Sequence, residues 1–150
     1  MSTKISFPSK KWFEALARRM TTDAAAFRKL GPVDCTMVVK VDGERRERCI
    51  GVSFEGFRVK SIREFKSMHT APANHFVIEG PLHAWREMIE NVRANGGPDR
   101  EHTLNYLTFP DDPLRVTGPS QLEIDVFYRY NESLQRFFNG AANVPTSYAQ

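Results

Sequence analysis

The residues with reactive side chains are scattered rather than grouped. The four histidines are His69, His75, His83 and His102. No two stand at i, i+4 with an acidic helper, and there is no HExxH run, so the spacing of a zinc hydrolase is missing. His75 and His83 are separated by an expected strand-to-helix turn, which is poor metal spacing. Cys35 and Cys49 belong to no CxxC or Cys/His pattern. Ser53 lies in an alternating segment without the G-x-S-x-G elbow that presents a nucleophile. Asp111-Asp112 sits between prolines and reads as a solvated turn rather than a carboxylate dyad. Gly96-Gly97 lacks the spacing of a phosphate loop. Nucleophilic and acid–base chemistry need a nucleophile beside a base, or two carboxylates in separated environments. Neither pattern is present, so the expectation is a protein without catalytic residues, metal or cofactor.

Charge excludes a further class. The chain carries 21 Lys and Arg against 18 Asp and Glu, a formal charge of +3. The densest basic patch, Arg45, Arg46 and Arg48, is interrupted by Glu44 and Glu47. Arg58, Lys60 and Arg63 suit an anionic head group at a pocket mouth, or a solvated strand face. Nucleic-acid binding leaves a stronger footprint than this. No stretch approaches 18 apolar residues, and the first eleven residues hold no signal-like apolar run, so a cytoplasmic protein is expected.

The apolar pattern is more informative. Eleven of the 150 residues are phenylalanine, material for a dense core or an apolar pocket. After a polar arm ending in Phe7-Pro8, Ser9 offers an N-cap. Trp12, Phe13, Leu16 and Met20 then mark a helix, and a second fits residues 22–30 with Phe27 and Leu30 inward. From Val33 to Val41 the period is two, as in a half-buried strand. Asp42-Gly43 turns the chain into a strand with Ile50, Val52 and Phe54. Glu55-Gly56 turns it again towards Phe57 and Val59.

The predicted registers pair Met37 with Ile50 and Cys35 with Val52 across a four-residue loop, 42–45. Across a two-residue loop they pair Phe54 with Phe57 and Val52 with Val59. Each keeps the apolar side chains on one face. Cys35 and Cys49 then face opposite ways and cannot bond.

Residues 67–74 read as a loop and His75 to Glu79 as a fourth strand. Gly80-Pro81 opens a helix striped by Leu82, Trp85, Ile89 and Val92. Leu104, Leu107 and Phe109 fit a short helix, and Leu114 to Thr117 a last strand. A long helix from about 120 to 139 carries Leu122, Val126, Phe127, Tyr130, Leu134, Phe137 and Phe138. Its wide stripe suits either a packed core or one wall of a cavity. Trp12 and Trp85 read as helix-to-sheet packing residues, and Met37, Met68 and Met88 as adaptable filler. Residues 1–150 fit one domain with its core in 7–139 and a loose tail at 141–150.

Several segments carry a family likeness. "SKKWFEALARRM" is similar to the tryptophan-containing first helix of bacterial sterol carrier protein type 2 domains. "VVKVDGERRERCIGVSFEGFRVKSI" resembles that family's strand meander, here read as four antiparallel strands. "FVIEGPLHAWREMI" and "LRVTGPSQLEIDVFYRY" resemble its later strand–turn–helix steps. The likeness covers about residues 7–139. Where family members often have a Lys- and Gly-rich segment, this chain has "HTLNYLTFPDDPLRV", and its last residues lack the Ala-Lys-Leu type of ending.

The resemblance implies an α+β fold with a five-stranded, mostly antiparallel sheet and helices packed on one face. It also implies an apolar tunnel for a fatty acid, acyl-coenzyme A ester or sterol-like lipid. Phe127, Tyr130, Leu134, Phe137 and Phe138 of the last helix would wall it with Val52, Phe54 and Val59 of the sheet, and Trp85, Ile89 and Leu107 would complete it. Two other readings stay open. One is an accessory module whose apolar face seals a homodimer or a partner enzyme. The other is a small enzyme of lipid or aromatic breakdown.

Overall fold

The computed structural model describes residues 3–43, 47–66, 68, 71, 74–108 and 113–148. Arg45, Arg46, His69, Phe109 and Asp111-Asp112 therefore lie outside the described residues, as does most of the expected loop at 67–74. The elements are β1 (Ile5–Phe7), α1 (Lys10–Thr22), α2 (Ala24–Leu30), β2 (Cys35–Asp42), β3 (Glu47–Glu55), β4 (Arg58–Phe65) and β5 (His75–Pro81). They continue with α3 (Leu82–Asn95), α4 (Leu104–Leu107), β6 (Arg115–Thr117), α5 (Gln121–Arg129), α6 (Asn131–Asn139) and β7 (Thr146–Tyr148). The protein is an α+β fold built on a mixed sheet of five strands, ordered β4-β3-β2-β5-β6.

The alternation read in the sequence sets the two faces of this sheet. Met37, Val39, Ile50, Val52, Phe54, Phe76 and Ile78 point to one side and join the main core with Trp12, Phe13 and Leu16 of α1, Trp85 and Ile89 of α3, and Leu134, Phe137 and Phe138 of α6. Polar Thr36, Lys40, Ser53 and Glu79 fall on the opposite parity. Cys35 packs on the main core, whereas Cys49 joins a small cluster with Val38, Phe65 and Val77. The two thiols are thus on opposite faces, and both are free.

Three details of the strands differ from the sequence reading. The fourth strand does not extend an antiparallel meander: β5 lies beside β2 and parallel to it. The chain leaving β4 at one edge must therefore cross β3 and β2. Met68 and Ala71 of that connection pack on Val38, Cys49, Phe65 and Val77, on the face away from the helices.

The first hairpin pairs Met37 with Val52 and Cys35 with Phe54, two positions beyond the expected partners. A shift of two preserves the face, so periodicity cannot detect it. The second hairpin turns at Gly56, where φ is +65°, a conformation suited to glycine. It pairs Phe54 with Val59 and Val52 with Ile62. A bulge at Lys60 supplies the odd residue, which brings both Val59 and Ile62 to the core face.

The helices depart in detail too. Ser9 caps α1 as expected, accepting from the Trp12 amide at 3.1 Å. Thr22 belongs to α1, so α2 starts later than predicted, and Leu30 is 40% exposed rather than inward. The long last helix is two helices, broken at Tyr130 (φ −104°, ψ 12°), and Leu122 is 75% exposed.

The largest correction concerns the termini. Residues 5–7 were expected in a polar arm and 141–148 in a loose tail, but β1 and β7 pair in parallel. Ala141, Val144 and Thr146 are buried. Phe7 makes ring contacts with Trp12 (4.7 Å), Trp85 (6.0 Å) and Tyr148 (6.3 Å). The Trp12 indole N–H donates to Thr146 Oγ1 at 3.0 Å, 134 residues away.

Two outcomes follow from this packing. Thr146→Val leaves the fully buried Trp12 N–H without a partner and should cost about 1–3 kcal/mol in urea unfolding; an unchanged midpoint would contradict the clasp. Burial pushes the Cys35 thiol up to about 12 and Cys49 to about 11, with Asp34 and Glu47 adding to the respective shifts. Both should resist alkylation at neutral pH in the native state and react fully on unfolding without a reductant. A reductant requirement would mean a disulfide.

Candidate functional site

The eleven residues singled out for ligand contact occupy one contiguous apolar interior between sheet and helices. Val52, Phe54, Trp85, Ile89, Leu107, Phe127, Leu134, Phe137 and Phe138 are buried, and Val59 and Tyr130 are half-buried. They divide into two groups by contact. Phe138 and Trp85 (5.9 Å between rings) belong to a dense aromatic junction with Phe7, Trp12 and Phe13. Phe137 instead meets Phe54 of β3 edge-on at 5.0 Å, and Phe127 meets Phe76 of β5 at 5.8 Å. Phe137 also lines a cavity of about 260 Å³ with Met20 and Phe27, bordered by Arg19 and Arg136.

The two halves of the broken helix are held unequally. α6 buries Ser133, Leu134, Phe137 and Phe138, and the Arg136 guanidinium reaches Asp23 at 2.9 Å. α5 buries Phe127 alone. Its Ile124 and Val126 are half-buried, and Leu122 and Tyr128 (50%) are exposed. The Ser120 hydroxyl caps α5 by accepting from the Leu122 amide and donating to Glu123. This helix is therefore locally well formed but lightly attached to the sheet.

The charged residues of the sheet and of α3 are mostly neutralised in place. Lys40, its pKa raised chiefly by the hydrogen bond to Glu47, also holds Glu79, and Arg115 meets Glu79 at 3.5 Å. Arg58 and Lys60 share Glu55, and Arg63 lies over the Phe65 ring. Tyr148 donates its hydroxyl to Glu90 at 2.7 Å, and Arg93 donates to the same carboxylate. Burial raises the Tyr148 phenol, and the hydrogen bond to Glu90 raises it further. Among the described residues no three His, Cys, Asp or Glu side chains are grouped to hold a metal. No helix of the described residues is long and apolar enough to cross a membrane.

Sequence reasoning missed Phe76, Phe7, Thr146 and Tyr148 as parts of this interior. Phe76 was legible as a strand residue on the core face. The other three sit in three-residue strands, too short to show a period.

No family model and no curated protein sequence matches the chain. Two solved structures share its fold. One is a conserved hypothetical protein from Thermus thermophilus, described as a candidate sterol carrier protein. It is 15% identical, with a TM-score of 0.68 over 97% of this chain and 94% of that one. The other is a crystal structure of sterol carrier protein 2, 16% identical, with a TM-score of 0.65 over 91% of this chain and 97% of that one. The architecture is thus of the sterol-carrier type, an α+β sheet covered by helices on one face. At these identities the likeness is one of fold.

The Glu90 contacts give a measurable signature. Burial alone would raise its carboxyl, but the hydrogen bonds from Tyr148 and Arg93 outweigh it and hold the group below the ordinary 4.5. The stabilisation is present above pH 4.5 and is lost as pH falls through the lowered value. In Tyr148→Phe the Glu90 titration, followed by carboxyl NMR, should move up towards 4.5; an unmoved titration would break the assignment.

Proposed function

We propose that the protein binds a hydrophobic ligand of the lipid class, a fatty acid, acyl ester or sterol-like molecule, and acts as a carrier rather than a catalyst. The observation that carries this reading is the fold shared with sterol carrier protein 2 over nearly the whole of both chains. The ligand lies under α5, against Phe54, Val52, Phe127, Tyr130, Leu134 and Phe137, with Leu107 and Val59 at the margins. Trp85, Ile89 and Phe138 form the wall behind it. Tyr130 is the hinge.

The energetics support this placement. Lifting α5 uncovers one fully buried side chain, about 1.5–3 kcal/mol for Phe127, and the half-buried faces of Ile124 and Val126. Each methylene of a ligand contributes about 0.8 kcal/mol on burial, so ten contribute roughly 8 kcal/mol. Opening therefore consumes a minor part of what a lipid tail returns. Lifting α6 would instead expose Leu134, Phe137 and Phe138 together.

The exposure of Leu122 and Tyr128 on α5 favours a second reading, an interaction module that docks a partner or a second copy through this helix. Native mass spectrometry of freshly purified protein separates the two. The carrier reading expects a co-purifying lipid, or displacement of a fluorescent fatty acid at micromolar concentration. An apo dimer with no displacement would replace it with the interaction module. Phe127→Trp, which enlarges the anchor of α5, should weaken fatty-acid binding severalfold while the fold stays intact by circular dichroism. Turnover of a lipid ester abolished by one polar substitution would instead point to an enzyme.

A further inference from the structure

A second cavity, of about 380 Å³, opens where β2 ends and α3 begins. Pro81, Leu82 and Tyr148 form its apolar side, and Leu82 and Tyr148 are themselves the outer edge of the main core. Its charged residues are Arg86 and Asp42, with His83 beside them. The Arg86 guanidinium lies over the Tyr148 ring, 5.0 Å from its centroid. Such stacking fixes the position of a long side chain without consuming its N–H donors.

These groups keep hydrogen-bonding capacity that many other charges of this protein have spent. Lys40, Arg48, Arg58, Lys60, Arg93, Arg115 and Arg136 each hold a carboxylate within ion-pair distance. Among the described residues Arg86, His83 and Asp42 make no ion pair. Glu90, one turn along from Arg86, is engaged by Tyr148 and Arg93. The cavity therefore has a cationic pole and an anionic pole that do not reach one another across its apolar side.

We propose that this cavity binds a small zwitterion, an oxyanion joined to a primary ammonium by a short linker. The oxyanion, a phosphate monoester or diester or a carboxylate, is held by the Arg86 fork with His83 as a further donor. The ammonium meets Asp42. The linker lies on Leu82 and Pro81. A simple anion fits less well, because Asp42 opposes it. A quaternary ammonium fits less well too, because Arg86 already covers a face of the Tyr148 ring. The inference does not depend on the interior ligand site.

The chemistry is shared by a free phosphorylated amine and by a lipid head group, and an NMR titration of the whole chain separates them. The probes are O-phosphoethanolamine, lauroyl lysophosphatidylethanolamine and inorganic phosphate. Saturable shifts of the Gly43, Leu82 and Tyr148 amides with O-phosphoethanolamine support a free zwitterion as ligand. The same shifts with the lysolipid alone support a head group. In either case Arg86→Ala and Asp42→Asn should each weaken binding about tenfold; both positions are exposed, so folding is not at stake. Fatty-acid displacement should be unaffected by either variant, so a failed interior site and a failed zwitterion site give different results. The proposal is overturned if neither amine probe shifts these amides, or if inorganic phosphate binds as tightly as O-phosphoethanolamine. Asp42→Asn strengthening the binding would overturn it too.

Discussion

A sheet with one apolar face has to have that face covered, and here a single side carries Met37, Val39, Ile50, Val52, Phe54, Phe76 and Ile78. Everything else in the fold answers to this. The long helices gather on that side. The opposite side can then be ionic, with Lys40 between Glu47 and Glu79. Exposed pairs such as Arg58–Glu55 contribute little stability, at most about 1 kcal/mol each, so they mark where the protein meets water rather than what holds it together. An apolar patch on that side, Val38, Cys49, Phe65 and Val77, is covered by Met68 and Ala71 of the β4–β5 connection.

The cover is uneven. One end of the layer is locked by rings around Phe7, where each aromatic pair contributes about 0.5–1.5 kcal/mol beyond simple burial. The other end, under α5, depends on Phe127 against Phe76. Local stability varies across a structure, and elements with few buried contacts open most readily. The carrier role proposed above calls for that combination: a frame rigid enough to keep the interior apolar and one element that yields.

Much of this was legible in the sequence because alternation and helical period report which face a residue occupies. The faces of β2, β3 and β5 were read correctly, as was the separation of Cys35 from Cys49. Strand partners were not, since moving Met37 from Ile50 to Val52 changes no face. The break at Tyr130 was hidden for a related reason. The Tyr130 amide still bonds Val126 O and the Leu134 amide bonds Tyr130 O, so the apolar spacing continues across it. The parallel placement of β5 depends on a crossing whose residues carry no apolar period. The cavity at the start of α3 depends on Asp42 and Tyr148, which only the folded chain brings to one place.

The clasp between β1 and β7 also bears on the order in which the protein can be completed. Trp12 is made well before Thr146, the partner of its buried indole N–H. At ~5–20 residues per second on the ribosome, the 134 residues between them take roughly 7–27 s to appear. Throughout that interval the amphipathic face of α1 has neither its cap of tail residues nor its hydrogen bond. α1 is therefore sealed only after β7 has emerged, and until then Trp12 lacks part of its cover.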